Sequence, residues 1–214
     1  SEMCIRDSRM SLQSVQEELD VCETAAIDSA PVPCVSYKRS KQASDFLGWA
    51  EYGICSSKAL KYFGCKLHTV VSLTGLIVGF VLTGASHYDN QPVVELLDSF
   101  THRLQQLLGD GAYNDAALES YLEHYRSLVL LAPTKANQSP KRSPTAQKEL
   151  NRLRLICETV NAQLQEQLHL SKHYAKSRWG LLTRVAAKVT AHSAAMMVNT
   201  LLGRPALQLA DLAV

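Results

Sequence analysis

An α/β core with helices on both faces is the fold class this sequence predicts, and three observations predict it. Two apolar stretches, Lys66–Ser72 and Leu76–Thr83, flank the turn-like Leu73-Thr74-Gly75 and read as a buried β-hairpin. Two long segments, about residues 147–169 and 173–201, carry apolar residues at helical spacing and close the chain. Before them the chain alternates strand-like and helix-like pieces, the order that builds layered α/β cores.

Taken in order, residues 1–8 (SEMCIRDS) resemble the in-frame translation of a mosaic-end sequencing adapter and are set aside. Residues 9–21 are then the remnant of an N-terminal region whose natural start is missing. Cys22–Asp28 reads as a short strand stopped by Pro31 and Pro33. Residues 35–64 read as irregular, and the hairpin follows. The longest uncharged run, Leu67–Tyr88, contains His68, Ser72, Thr74 and three glycines, which favours paired strands over a membrane span. Pro92 is placed to open a helix reaching about Leu108, and Asn114 to cap a shorter one ending near His124. Leu128–Ala132 is strand-like. Thr134–Ala146 has no large apolar residue and reads as a mobile basic loop.

The net charge of +2 hides an uneven distribution. Residues 1–134 hold 10 Lys/Arg against 16 Asp/Glu, a balance of −6, whereas residues 135–188 hold 11 against 3, a balance of +8. The basic half implies a polyanionic partner or solvated helix faces; charge alone does not choose. The six cysteines form no CxxC pair and no zinc-type Cys/His spacing, and no signal peptide is visible, so reduced cytoplasmic thiols are expected. No GxxxxGK[ST] or GxGxxG phosphate loop is present.

Three acids stand in distinctive settings: Asp28 in AAIDSAPVP, Asp110 in LLGDGAYND and Glu158 in LRLICETVNAQL. In the helix from Lys148, the residues Leu150, Leu153, Cys157, Val160, Leu164 and Leu168 form the core face. Arg154, Glu158, Asn161 and Gln165 form a polar stripe beside it. Taken by itself, Arg154–Glu158 reads as an ordinary (i, i+4) surface pair worth a few tenths of a kcal/mol. Carboxylates from two strands and one helix can also converge into an oxygen-rich pocket for two divalent ions, which suits in-line phosphoryl transfer. Asp89 reads as a turn or helix-capping residue. His68 and His87 read as hydrogen-bonded rather than catalytic.

Several segments together resemble the insertion-sequence transposases with a DDE catalytic domain. IDSAPVPC resembles the segment of the first aspartate, FGCKLHTVVSLTGLIVGFVLTGAS the second and third strands, and LGDGAYND the segment of the second aspartate. ICETVNAQLQEQLHL followed by AKSRWGLLTRVAAKVTAH resembles the helix of the catalytic glutamate and the basic, aromatic segment after it. The similarity spans about residues 22–212. It implies an RNase H-like fold, a mixed five-stranded sheet flanked by helices with a helical C-terminal extension. Residues 22–202 would form the catalytic domain, containing the basic loop 134–146, and 203–214 a tail.

The resemblance also implies metal-dependent DNA strand cleavage and transfer at the ends of an insertion sequence. Asp28, Asp110 and Glu158 would hold two Mg²⁺ (or Mn²⁺) ions, whose preference for oxygen donors fits this set. Arg154 matches an arginine that helps hold DNA near the cleavage point. Lys176, Arg178, Trp179, Arg184 and Lys188 are the further candidates for DNA contact, the tryptophan equally a packing anchor. The implied partners are double-stranded DNA, as terminal inverted repeats and target, and a second copy in a synaptic homodimer. The implied setting is a prokaryotic cytoplasm, at the nucleoid, with no membrane partner.

Asn151 and Gln165 stand where a subset of the family has tyrosine and lysine, which speaks against a hairpin-forming mechanism. Gly111-Ala112 stands where relatives often have a basic residue and glycine. The strand implied before Asp110 must be very short, because Gln105–Leu108 has little β character. A catalytically inactive DNA-binding remnant and a different nuclease on the same fold are the alternatives.

Overall fold

The first strand, β1 (Thr24–Val35), organises the sheet. The computed structural model describes residues 23–35, 45–55, 59–98, 104–133 and 143–212. The other strands are β2 (Glu51–Cys55), β3 (Leu60–Ser72), β4 (Ile77–Gly84), β5 (Gln106–Leu108) and β6 (Val129–Leu131). The helices are α1 (Val93–Asp98), α2 (Ala116–Arg126), α3 (Pro144–Ala162) and α4 (Arg178–Leu201). β3 pairs antiparallel with β1 on one edge, and β5 and β6 add in parallel beyond β1. On its other edge β3 pairs antiparallel with β2 over Leu60–Gly64 and with β4 over Cys65–Val71. The order β4-β3-β1-β5-β6 is the expected RNase H-like mixed sheet. β2 is a sixth strand, laid end to end with β4.

β1 runs straight through Pro31 and Pro33, where the sequence predicts a stop. The reason lies in its two edges. β5 pairs only with Thr24–Ala26, so the edge beyond Ala26 carries no ladder. The Pro31 carbonyl instead accepts from Gln165 Nε2 at 2.8 Å, and the Pro33 carbonyl from His173 Nε2 at 2.8 Å. A strand residue points its N and C=O to the same side, so both prolines place their missing N–H on an edge where none is needed.

Other predicted elements shift for local reasons. The hairpin forms as predicted: Gly75 turns at φ +99°, and Ser72 Oγ accepts from Leu76 N at 3.1 Å. The helix expected from Pro92 to Leu108 ends, as far as described, at Asp98. Gln106–Leu108 is strand β5, with Leu107 and Leu108 buried on opposite sheet faces. Pairing to β1 and β6 overrides the weak local preference. The cap of α2 is Asp115, accepting from Ala117 N and Leu118 N, whereas Asn114 Nδ2 donates to the Pro133 carbonyl. Most of the predicted basic loop, 134–142, lies outside the described residues. Ser143 caps α3 three residues before that loop's predicted end.

One face of the sheet packs α3 and α4. Leu150, Cys157, Val160, Leu181, Val185 and Val189 meet Ala26, Val32, Cys65, Leu67 and Leu108. The other face packs α1 and α2, with Val93, Leu96 and Leu122 on Ala25, Ile27, Val70 and Leu107. Each fully buried Leu or Val contributes about 1.5–3 kcal/mol relative to exposure. The predicted core face of α3 is observed, with Leu153 and Leu168 partly buried at its margin.

The helix predicted to reach residue 169 changes character after Ala162. Gln163–Gln167 is a π-helical turn, closed by Leu168 N to the Gln163 carbonyl at 3.0 Å. Gln163 is thereby turned into the core. It accepts from buried His192 Nε2 at 2.8 Å and donates to the Leu207 carbonyl at 2.7 Å. α4 follows from Arg178, and residues beyond it fold back: Asn199 Nδ2 donates to the Ala206 and Gln208 carbonyls, and Leu209 is buried. No helix among the described residues is long and apolar enough to cross a membrane.

Candidate active site

The site grows from strand register. Ala26 pairs with Leu108 in the parallel β1–β5 ladder, and both side chains enter the core under α3. Asp28 stands two residues further along β1 on the same face, and Asp110 two residues beyond Leu108, near enough for its charge to act on Asp28. The polypeptide turns immediately after Asp110, whose Oδ1 accepts from Ala112 N at 2.8 Å and caps the 3₁₀ turn Gly111–Tyr113.

Asp28 is half-buried, and its carboxyl is pushed up to about 6. Burial is the main cause. The N–H of Ser29 opposes it, the charge of Asp110 adds to it, and Arg154 and Asn161 on α3 oppose it. Two carboxylates therefore repel each other across the end of the β1–β5 pair. Asn161 Nδ2 donates to Asp28 Oδ2 at 3.1 Å, and Asn161 Oδ1 is buried without a hydrogen-bond partner. Arg154 is half-buried, with Nε buried and unpartnered.

Glu158 stands between Arg154 and Asn161 on the same stripe, but its side chain is exposed. Its charge is felt by buried Cys157, whose thiol is pushed up by burial first and then by Asp28. No Arg154–Glu158 ion pair forms among the described residues; the charge of Arg154 acts on Asp28 instead. Among the described residues no three His, Cys, Asp or Glu side chains are gathered closely enough to hold a metal ion. The structure thus brings Asp28 and Asp110 within electrostatic reach, joins Asp28 to Asn161 and to the charge of Arg154, and leaves Glu158 exposed on the same helix stripe.

Tyr113 is buried in the core of the opposite sheet face, within electrostatic reach of the pair. Its phenol is driven upward by burial, then by the charges of Asp28, Asp89 and Asp110, and its hydroxyl is unpartnered. Asp89 lies in the turn before α1 and pairs with Lys66 at 3.1 Å. His68 and His87 are hydrogen-bonded as predicted, to Thr83 Oγ1 at 2.8 Å and Glu51 Oε2 at 3.2 Å.

The predicted DNA contacts divide into two groups. Arg184 Nη1 donates to the His173 carbonyl and Lys188 Nζ to the Leu168 carbonyl, so both hold the segment between the π turn and α4. Lys176, Arg178 and Trp179 are exposed at the start of α4, with Arg178 stacked 5.1 Å from the Trp49 ring. Asn161 and Gln165 are the residues whose importance sequence reasoning missed. Their one signal was membership of the polar stripe on α3.

A mixed sheet in this strand order, with two acids side by side at the end of its central parallel pair, defines an RNase H-like α/β domain with an acidic site. Comparison with protein families sharpens this: the chain matches the transposase DDE domain over residues 23–193 and belongs to that family. No curated protein and no solved structure matches it.

Proposed function

We propose that the chain is a transposase that cleaves and joins DNA strands at the ends of an insertion sequence, with Asp28, Asp110 and Glu158 as its catalytic acids. The observation that carries this reading is the Asp28–Asp110 juxtaposition, in which burial and mutual repulsion hold the Asp28 carboxyl at about 6. Carboxylates perturbed by burial and a like charge cluster at functional sites.

The donor set fits a hard divalent cation. Two carboxylates supply oxygen only, and a hydrated Mg²⁺ takes no more than one or two carboxylates from the protein. Asp28 and Asp110 would hold Mg²⁺ or Mn²⁺ from the sheet, and Glu158 from α3. Two such ions supply an activated water or 3′-hydroxyl and a counter-charge for the leaving oxygen. The protein's own groups do the rest. The sheet fixes the two aspartates, Asn161 orients Asp28, and Arg154 offsets their charge beside the DNA phosphate. Lys176, Arg178 and Trp179 lie exposed together, which suits phosphate contact and stacking on an unpaired base. The partners are the element's terminal repeats and target DNA, engaged by a homodimer in a prokaryotic cytoplasm.

Purified protein should nick or join end-containing DNA only with Mg²⁺ or Mn²⁺, and Asp110→Ala should abolish this. Cleavage that persists without all three acids would overturn the assignment. A second reading, a DNA-binding relative without catalysis, is favoured by the exposure of Glu158. It requires salt-sensitive DNA binding with no metal-dependent cleavage.

A further inference from the structure

We infer that Asn161 is a positioning residue for the cation site: its Nδ2 fixes Asp28, and its Oδ1 receives a hydrogen bond from water carried by the bound ion. This rests on the metal-dependent reading above, and it concerns a residue outside the three acids.

Asn161 is the α3 residue seen bonded to Asp28, through Nδ2 to Oδ2 at 3.1 Å. An amide so engaged has its oxygen fixed on the other side of the same plane. That oxygen is buried and has no protein partner, although a buried carbonyl left unpaired costs about 1–3 kcal/mol. Neighbouring groups do not answer it. Arg154 Nε, a donor on the same stripe, is itself unpartnered, and Thr69, which pairs with Asp28 across the β1–β3 ladder, has a buried unpartnered hydroxyl. A donor that the protein itself does not supply is therefore called for at this oxygen. Mg²⁺ retains several of its waters when bound by one or two carboxylates, and those waters are strong donors. The amide then performs two tasks that a carboxylate cannot combine: it donates to Asp28 without adding negative charge, and it accepts from the hydrated ion. Groups that orient metal ligands in this way carry a 10–100-fold share of metal affinity by general experience.

The test is Mn²⁺ binding to the full chain without DNA, followed by calorimetry and by the electron paramagnetic resonance signal of free Mn²⁺. Wild-type protein should bind, and Asp28→Asn should bind far more weakly. Asn161→Leu, which keeps the volume and removes both polar atoms, should weaken binding by roughly 10–100-fold. Asn161→Asp, which keeps an oxygen but loses the donor, should bind Mn²⁺ more tightly than Asn161→Leu. That split separates an oxygen function from mere packing, and circular dichroism confirms that each variant is folded. Equal affinity of wild type and Asn161→Leu, with Asp28→Asn still defective, overturns the role of Asn161 and leaves the metal site standing. Absence of Mn²⁺ binding by folded wild-type protein overturns the metal reading and this inference with it.

Discussion

Gln163 Oε1 and His192 Nε2 meet at 2.8 Å in the interior, joining the π turn to the middle of α4. Acceptance by the glutamine oxygen places a ring proton on Nε2. His192 Nδ1 is buried without a partner, and burial lowers the imidazole from 6.5 to about 4. His68, also buried, is lowered to about 4 by the same cause.

Acid should therefore unfold this protein well above the carboxylate range. Both groups have depressed folded values, so between about 4 and 6.5 the unfolded chain binds more protons than the folded one. The stability they protect is complete above pH 6.5 and is lost as pH falls toward 4. Each contributes at most about 3 kcal/mol, from 1.36 kcal/mol per unit. Urea midpoints should fall steeply across this window, and His192→Gln should make the fall shallower. A flat profile would contradict the assignment.

Asp28 has the opposite sign. Its folded value, about 6, lies above the ordinary 3.8, so the folded state keeps the proton longer and stability declines as pH rises from about 4 to 6. Without divalent ions, Asp28→Asn should raise stability at neutral pH by about 1–2 kcal/mol, a figure reduced for partial exposure, while removing strand cleavage. Melting in the presence of a chelator measures the first effect and a nicking assay the second.

Loss of Gln165 or His173 should loosen β1. Gln165→Ala and His173→Ala each leave a proline carbonyl of the open edge without its partner. Each should cost about 1–2 kcal/mol in chemical denaturation. Amide exchange in β1 should rise beyond Ala26 before it rises in the Thr24–Ala26 segment paired with β5.

The basic residues around α4 should separate into two behaviours. Arg184→Ala and Lys188→Ala remove donors to backbone carbonyls and should lower the melting temperature. Lys176→Ala should leave melting unchanged, weaken DNA binding irrespective of sequence and reduce the salt slope by about 1. Fluorescence anisotropy at several salt concentrations distinguishes these outcomes.

Much of the framework is legible in the sequence because it is written locally. Alternating apolar residues around Leu73-Thr74-Gly75 specify the hairpin, and the spacing from Leu150 to Leu164 specifies the buried face of α3. The continuation of β1 is not legible, because prolines forbid a strand only where a ladder needs their N–H, and that depends on how far β5 extends. β5 is three residues long and takes its conformation from its neighbours, so its leucines look helical in isolation. Asp28 and Asp110 were readable from their settings. Asn161 was readable as polar but not as a partner of Asp28, since the two are 133 positions apart and meet only when α3 lies on β1.

The π turn ties the number of residues at the end of α3 to two contacts at once. Each residue in a helix advances the side-chain direction by about 100°. Gln163 and Gln165, two residues apart in the widened turn, reach opposite targets, the core histidine and the β1 edge. Deleting a single residue from Gln163–Gln167 would return the turn to α-helical winding and move Gln163 or Gln165 off its partner. Substitutions here touch one contact at a time, whereas a change of length in this short stretch disturbs the contacts of Gln163 and Gln165 together.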